Sequence, residues 1–362
     1  MPITFPHFGS LRYVFEIVLR ELGRNDIIIP KKPSKKTFQL GSYYSPEFIC
    51  TPFKITLGTF IESLEAGADE LAMGGTQGTC RFGYYWPVQK LILEDLGYNC
   101  KFITFDYHDP LQIVQVFKRI SNNYNYCQTF RALRIAWLKN RLTDLTDKLI
   151  SYYRALEVEK GSTQCLSTEV FNKIVEIKGI KNIKHMVKSL PSFFEKNIEI
   201  CSNKTPIRVG IIGEIYVVLE PALNLDVFKR LNELGVVCET PISLGKFTDI
   251  GAKLNPFKKE HHKIARKVAK PYLPYRVGGD AQESIGDTII NKRKGFDGMV
   301  HLYPFTCMPE IISRSILPQI SHEYKIPVLS LVVDEQTGEA GFQTRLEAFI
   351  DLLTRQKEDD RG

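Results

Sequence analysis

The feature that most constrains the fold of this chain is an alternation of short apolar runs with longer segments of helical periodicity. Near the amino terminus, ADELAMGG (68–75) and CKFITFD (100–106) have the composition of buried strands, and YYWPVQKLILEDLG (84–97) between them has helical spacing and a closing glycine. The alternation returns in the last third of the chain. Its strand-like runs there are RVGIIGEIY (208–216), VVCETPI (236–242), GFDGMVHLYPF (295–305) and PVLSLVVD (327–334). Alternating strands and helices predict an α/β protein with open parallel sheets.

The middle of the chain has a different pattern, in which long helical segments follow one another without a strong strand signal. RALRIAWLKNRLTDLTDKLISYYRALEVEKG (131–161) is the longest of these segments. We therefore predict two flavodoxin- or Rossmann-like domains, at 1–115 and 206–362, with a helical region at 116–205 between them. A chain of 362 residues is long enough for two such cores. DIIIP (26–30) is predicted as a further strand of the first domain.

Composition and charge exclude several classes of protein. The chain is 43% apolar and 25% charged, as is usual for globular proteins, and its net charge of +7 is divided among short runs such as KKPSKK (31–36) and NKRKG (291–295). Nucleic-acid-binding proteins usually concentrate basic residues on one face, so these runs are predicted to be solvated loops. No segment approaches the roughly 20 apolar residues of a membrane span, and the amino terminus lacks the pattern of a signal peptide. We expect a cytoplasmic protein that binds neither nucleic acid nor membranes.

Three of the eight cysteines occur in similar settings. Cys50 in FICTPFK and Cys307 in PFTCMPE each precede a proline by two residues, at the predicted start of a helix. Cys80 in GGTQGTCRFG lies between a predicted strand and a helix. Unpaired backbone N–H groups and the helix dipole at such positions favour a thiolate, which is the form that binds metals. Each position therefore offers a sulfur to a metal or to an electrophile. The remaining cysteines are predicted to be packing or surface thiols: Cys100, Cys127, Cys165, Cys201 and Cys238.

The glycines that precede Cys80 allow two interpretations. Gly74, Gly75 and Gly78 would let the backbone approach a bulky group and point its N–H donors at an anion. Alternatively, they only form a tight turn between strand and helix. Neither a GxxxxGK[ST] nor a GxGxxG phosphate-binding motif is present in the sequence.

Three thiolates could hold either zinc or a four-iron cluster. Structural zinc usually requires closely spaced ligands such as CxxC pairs, which this sequence lacks. For catalytic zinc, His261 and His262 would be the additional ligands. They lie in KKEHHKIARK (258–267), which is predicted to be a solvated helix face.

The motifs CTPFK (50–54), GGTQGTC (74–80) and PFTCMPE (304–310) closely resemble those of the 2-hydroxyacyl-CoA dehydratase and benzoyl-CoA reductase subunit superfamily. Within it, the resemblance is to the acyl-CoA dehydratase activase-related (CoA protein activase) branch. VGIIGEIYVVLEPALN (209–224) and DEQTGEAGFQTRLEAFID (334–351) support it. The resemblance covers almost the whole chain.

The resemblance implies that Cys50, Cys80 and Cys307 hold a [4Fe–4S] cluster between two α/β domains. The cluster would receive electrons from a separate ATP-dependent iron–sulfur activator and pass them to an acyl-CoA or another small molecule. A related second subunit or a homodimer is also implied. A double-cubane cluster needs more cysteine ligands, which Cys127 or a partner chain would have to supply. The alternative is a non-catalytic protein that only carries electrons or helps to activate a partner.

Four other residues are candidates near such a cluster. Glu214 and Glu310 would act as acid–base groups, or would simply be carboxylates at helix starts, where the dipole favours them. Lys54 would balance the charge of the cluster or face solvent. Arg345 follows the polar loop after PVLSLVVD, so it would bind a cofactor or belong to an ordinary cap and turn.

Overall fold

The computed structural model of the protein describes residues 1–75, 80–106, 110–121, 125–201, 205–242 and 261–359, without the side chains of 105, 106, 110–114 and 128. The chain forms two compact units. The first contains 1–137 together with the short segments 277–279 and 304–306, and the second contains the remainder. The three segments inferred from the sequence, at 1–115, 116–205 and 206–362, stay a prediction.

The first unit is built on a parallel sheet in which a two-residue strand pairs with one of two longer strands. Ile3 lies opposite Glu70, and Glu70 lies opposite Lys101. The sheet order is β1-β2-β3. Its strands and helices are β1 (Ile3–Thr4), α1 (Leu11–Glu21), α2 (Lys35–Tyr44), α3 (Thr51–Glu65), β2 (Glu70–Gly75), a 3₁₀ helix (Arg81–Tyr84), α4 (Tyr85–Asp95), β3 (Lys101–Asp106) and α5 (Pro110–Ile120).

Helices α2 and α3 pack against each other at glycines. A Cβ atom on Gly41 would lie 1.8 Å from the carbonyl oxygen of Lys54, and one on Gly58 would lie 2.1 Å from that of Thr37. The two backbones can approach this closely only because neither glycine has a side chain. This packing positions α3, the helix that begins immediately after Cys50.

The middle of the chain is helical, as the sequence predicts. It consists of α6 (Tyr126–Leu156), α7 (Ser162–Glu176) and α8 (Ile180–Asn197), with one isolated bridge between Glu157 and Ile200. The boundary between the two units falls inside α6, at Trp137 and Leu138.

The second unit contains a four-stranded sheet in the order β5-β4-β6-β7. Its strands and helices are β4 (Ile207–Gly213), α9 (Ile215–Leu219), α10 (Val227–Glu233), β5 (Val236–Glu239), α11 (His261–Ala269), α12 (Ala281–Arg293), β6 (Gly298–Pro304), α13 (Met308–Tyr324), β7 (Val328–Val333) and α14 (Glu339–Asp359). Strand β4 pairs in parallel with β5 and with β6. Its last residue, Gly213, has φ +130°, and a Cβ there would lie 1.8 Å from the carbonyl oxygen of Leu302.

These two parallel sheets confirm the predicted α/β class. The predicted strand at Asp26–Pro30 is wrong, because only Ile27 forms a bridge there, to Ile3. The neighbouring strand β1 has only two residues, and Pro30 has no N–H with which to extend a ladder. In the described ranges, no helix is both long enough and apolar enough to cross a membrane.

Candidate functional site

The three candidate cysteines each occupy the cap position at the start of a helix. Cys50 precedes α3 and Cys307 precedes α13, and both helices have proline in the first turn. Cys80 precedes the 3₁₀ helix that runs directly into α4. All three have extended backbone conformations, with φ between −66° and −74°. The helix starts predicted from C-x-P are therefore confirmed.

Cys50 lies in the apolar core of the first unit, with 7% of its surface exposed. Its Sγ is 2.5 Å from the hydroxyl oxygen of Tyr85, the first residue of α4, and either group could donate the proton. The Tyr85 ring packs edge-on against Phe53 and Phe82, with centroid distances of 5.1 and 5.2 Å. The sulfur therefore has a fixed polar neighbour inside an aromatic environment.

The other two candidate thiols differ in exposure and in location. Cys80 belongs to the first unit and is half-buried, whereas Cys307 belongs to the second unit and is 8% exposed. No cysteine of the chain forms a disulfide, and all eight lie in the described ranges. Within those ranges, no group of three or more cysteine, histidine or acidic residues has the arrangement of a metal-ion site. The three-cysteine ligand set stays a prediction.

Arg81 is a further candidate, which no sequence motif singles out. Its Nη1 donates to the carbonyl oxygen of Phe48 at 2.9 Å, and its Nη2 donates to the carbonyl oxygen of Thr306. Both acceptors belong to the first unit, like Arg81 itself. The only signal in the sequence was that this arginine directly follows Cys80.

The second unit contains a buried carboxylate, Glu310, in the first turn of α13. Its Oε2 atom lies 2.8 Å from His301 Nε2 and accepts hydrogen bonds from Ser284 (2.9 Å) and Ser313 (2.7 Å). Oε1 is buried and has no hydrogen-bond partner in the described part of the chain. The other ring nitrogen of His301 is 3.2 Å from the hydroxyl of Ser330. Glu310 is thus both a helix-start carboxylate and the centre of a polar network.

Glu214 is a predicted site residue whose carboxyl group has a raised pKa. It caps α9, where its carboxylate accepts the N–H of Val217 at 2.9 Å. Removal from water raises the pKa of Glu214 to about 7, and the nearby charge of Glu310 adds to this effect, although the backbone N–H donors oppose it. This carboxyl exchanges a proton near neutral pH.

Asp280 is a further acid of the second unit that the sequence did not single out. It accepts the N–H of Ile215 at 3.3 Å. Burial raises its pKa well above the ordinary value, and the charges of Glu283, Glu310 and Glu214 raise it further. Burial therefore favours the protonated form of Asp280, as it does for Glu214.

One face of α11 packs against α12, so the prediction that His261 and His262 lie on a solvated helix face is wrong, although Lys263, Ile264 and Lys267 of the same helix are exposed. Their side chains are 23% and 18% exposed. His261 Nε2 is 2.7 Å from Asp287, and His262 Nδ1 is 3.6 Å from Glu283, which also binds Arg266 at 2.6 Å. The acidic partners lie on α12, which the lysine-rich local sequence does not indicate.

A small pocket lies beside these histidines, at the carboxyl end of β4. It is lined by Gly213, Asp280 and Ser284 in addition to His261 and His262. Its free volume is about 10 Å³, close to the volume that one water molecule needs. In open α/β sheets this end of a strand is where ligands bind.

The remaining predicted residues that the structure describes belong to three different elements. Gly74 and Gly75 are the last residues of β2, so they extend the strand and do not form the turn; Gly78 lies outside the described residues. Lys54 is half-buried in α3, and Arg345 is on the exposed side of α14.

The cysteines outside the motifs have the surroundings of packing or surface thiols. Cys127, Cys165 and Cys201 are exposed, and Cys100 is half-buried. Cys238 is buried, and burial raises the pKa of its thiol.

No protein-family model matches this chain, and no curated protein matches it at a significant level.

Proposed function

We propose that this protein binds a [4Fe–4S] cluster through Cys50, Cys80 and Cys307. It would accept low-potential electrons from an ATP-dependent iron–sulfur activator and use them for reductive or radical chemistry on an acyl-CoA or another small molecule. The observation that carries the proposal is that all three thiols cap helix starts and none forms a disulfide.

The donor groups of this chain suit such a cluster. Thiolates are the usual ligands of iron–sulfur clusters, and helix N-termini stabilise their negative charge. Tyr85 adds a hydroxyl 2.5 Å from the Cys50 sulfur. Catalytic zinc is less well supported, because the histidines that would complete its ligand set are engaged with Asp287 and Glu283.

The carboxyl groups of the second unit suit the proton movements that reductive chemistry requires. A bound cluster would supply single electrons, and Glu214, with its pKa of about 7, would hold and release a proton at neutral pH. The hydrogen bonds from Ser284 and Ser313 hold the Glu310 carboxylate in one orientation toward His301.

Anaerobic purification with iron and sulfide analysis tests the proposal. We expect about four irons per chain, as in a single [4Fe–4S] cluster. Cys50→Ala, Cys80→Ala and Cys307→Ala should each lose the iron with the fold retained. Cys238→Ala, which removes a buried thiol outside the motifs, should keep it. Zinc in place of iron, or full iron in all three variants, would contradict the proposal.

A second experiment separates an enzyme from an electron carrier. The protein would be reduced with a low-potential donor and then mixed with acyl-CoA thioesters under anaerobic conditions. Reoxidation that depends on the thioester is expected of the enzyme. A carrier would stay reduced until it meets a protein partner.

A further inference from the structure

Arg81 joins two backbone segments that are far apart in the sequence. Its guanidinium donates to Phe48, two residues before Cys50, and to Thr306, the residue before Cys307. A second contact, of 3.4 Å, joins Nη2 to the Thr306 hydroxyl. A guanidinium presents several N–H donors in a rigid plane, so a single arginine can bind two carbonyl groups at once.

Both acceptor residues have an unusual backbone conformation. Phe48 has φ +57° and Thr306 has φ +66°, in the left-handed region that side-chain-bearing residues rarely adopt. For a β-branched residue such as Thr306 this is a genuine outlier, which persists only where surrounding contacts hold it. The Arg81 hydrogen bonds are contacts of this kind at both positions.

We propose that Arg81 is a positioning residue, which holds the segments entering α3 and α13 and thereby orients the thiols of Cys50 and Cys307. Arg81 also directly follows Cys80, so one side chain is linked to the backbone of all three cysteine motifs. The inference rests on the proposed function for its purpose, but the positioning itself does not require a cluster.

The test measures thiol reactivity in the full-length, metal-free protein under anaerobic conditions. Each cysteine is followed by its rate of alkylation with iodoacetamide, read by peptide mass spectrometry. In Arg81→Ala and Arg81→Lys, alkylation of Cys50 and Cys307 should accelerate by roughly tenfold, because lost hydrogen bonds favour local opening. Lysine keeps the charge but lacks the planar fork, so it should not restore the slow rates.

Two controls make the result specific. The rates at Cys165 and Cys238, and the thermal midpoint, should stay near those of the wild-type protein. Arg20→Ala removes an exposed arginine of the same unit, which pairs with Glu16, and should leave every rate unchanged. Unchanged rates at Cys50 and Cys307 in both Arg81 variants would overturn the inference, as would faster alkylation at all cysteines.

The outcome can be told apart from failure of the proposed function. If the wild-type protein binds no iron but the Arg81 variants expose Cys50 and Cys307 selectively, the cluster proposal fails and the positioning role stands. If iron is bound and the two rates do not change, the positioning role fails alone. With the cluster loaded, the Arg81 variants should also lose iron to a chelator faster than Arg20→Ala does.

Discussion

The Tyr85 hydroxyl lies 2.5 Å from the Cys50 sulfur, inside the core of the first unit. A hydroxyl that donates to a ligating thiolate stabilises the reduced, more negative form of a cluster. Tyr85→Phe should therefore keep the iron but make the reduction potential more negative. The expected shift is roughly 20–60 mV, since a net hydrogen bond contributes about 0.5–1.5 kcal/mol and 59 mV corresponds to about 1.4 kcal/mol for one electron.

A redox titration followed by electron paramagnetic resonance measures this shift. Tyr84→Phe is the matched control, because Tyr84 is the adjacent residue and is 68% exposed. Equal potentials in the two variants would show that the Tyr85 hydroxyl does not act on the cluster.

The raised pKa of Glu214 predicts how the stability of the protein depends on pH. Its pKa is about 7 in the folded protein and near 4.5 in an ordinary setting, so between these values the folded state binds more protons than the unfolded state. Stability should therefore fall as pH rises from about 4.5 to about 7, by at most about 3 kcal/mol, and be unaffected by this group outside that window.

Urea unfolding at several pH values tests this prediction. Glu214→Gln keeps an acceptor for the Val217 N–H but cannot titrate, so it should flatten the fall in stability across the window. Glu176→Gln, at an exposed position on α7, should leave the pH profile as it is. Identical profiles for Glu214→Gln and the wild-type protein would argue against the raised pKa.

The structural role of a residue could be predicted where a short sequence pattern around it specifies that role. The C-x-P pattern specifies a helix start through the missing N–H of proline, and it located the caps at Cys50 and Cys307 correctly. The Arg81 contact with Thr306 joins residues 225 positions apart, which no local pattern encodes. His261 is partly buried because it contacts Asp287, an acidic residue on another helix.

At the scale of secondary-structure elements, the packing of α2 on α3 requires Gly58. A methyl group there would lie 2.1 Å from the carbonyl oxygen of Thr37, so Gly58→Ala must force the helices apart. We expect a loss of about 1–3 kcal/mol in the free energy of unfolding, even though alanine favours helix. Displacement of α3 should also increase alkylation of Cys50.

Gly341→Ala is the control for this substitution. Gly341 lies within α14, and a Cβ there would meet no atom within 4 Å. Its replacement should stabilise the protein by up to about 1 kcal/mol, through helix propensity alone. Chemical denaturation compares the two, and equal stability of Gly58→Ala and the wild-type protein would contradict the close packing.

Most elements were predictable because periodicity reports burial directly. Apolar runs such as 208–213 and 298–304 formed β4 and β6, since a parallel strand is buried on both faces. The run at 26–30 is equally apolar but has only the two-residue β1 beside it. Strand formation there depends on a partner, which composition alone does not reveal.

At the scale of the whole molecule, the first unit is not a continuous piece of chain. It takes in 277–279 and 304–306 from the carboxyl half. A fragment of residues 1–137 would lack Thr306, and with it one acceptor of Arg81. We expect its amides in β2 and β3 to exchange hydrogen faster than those of the full-length protein, as measured by mass spectrometry. Equal exchange rates would mean that 277–279 and 304–306, the two segments that return to the first unit, contribute nothing to its stability.

The returning segments also have a consequence for biosynthesis. A ribosome releases the amino-terminal portion first, and domains generally fold in that order. Here the last pieces of the first unit emerge only after residue 306 has been added. The nascent polypeptide must keep its early portion incomplete, with the Arg81 guanidinium lacking its Thr306 acceptor, until most of the chain has been synthesised.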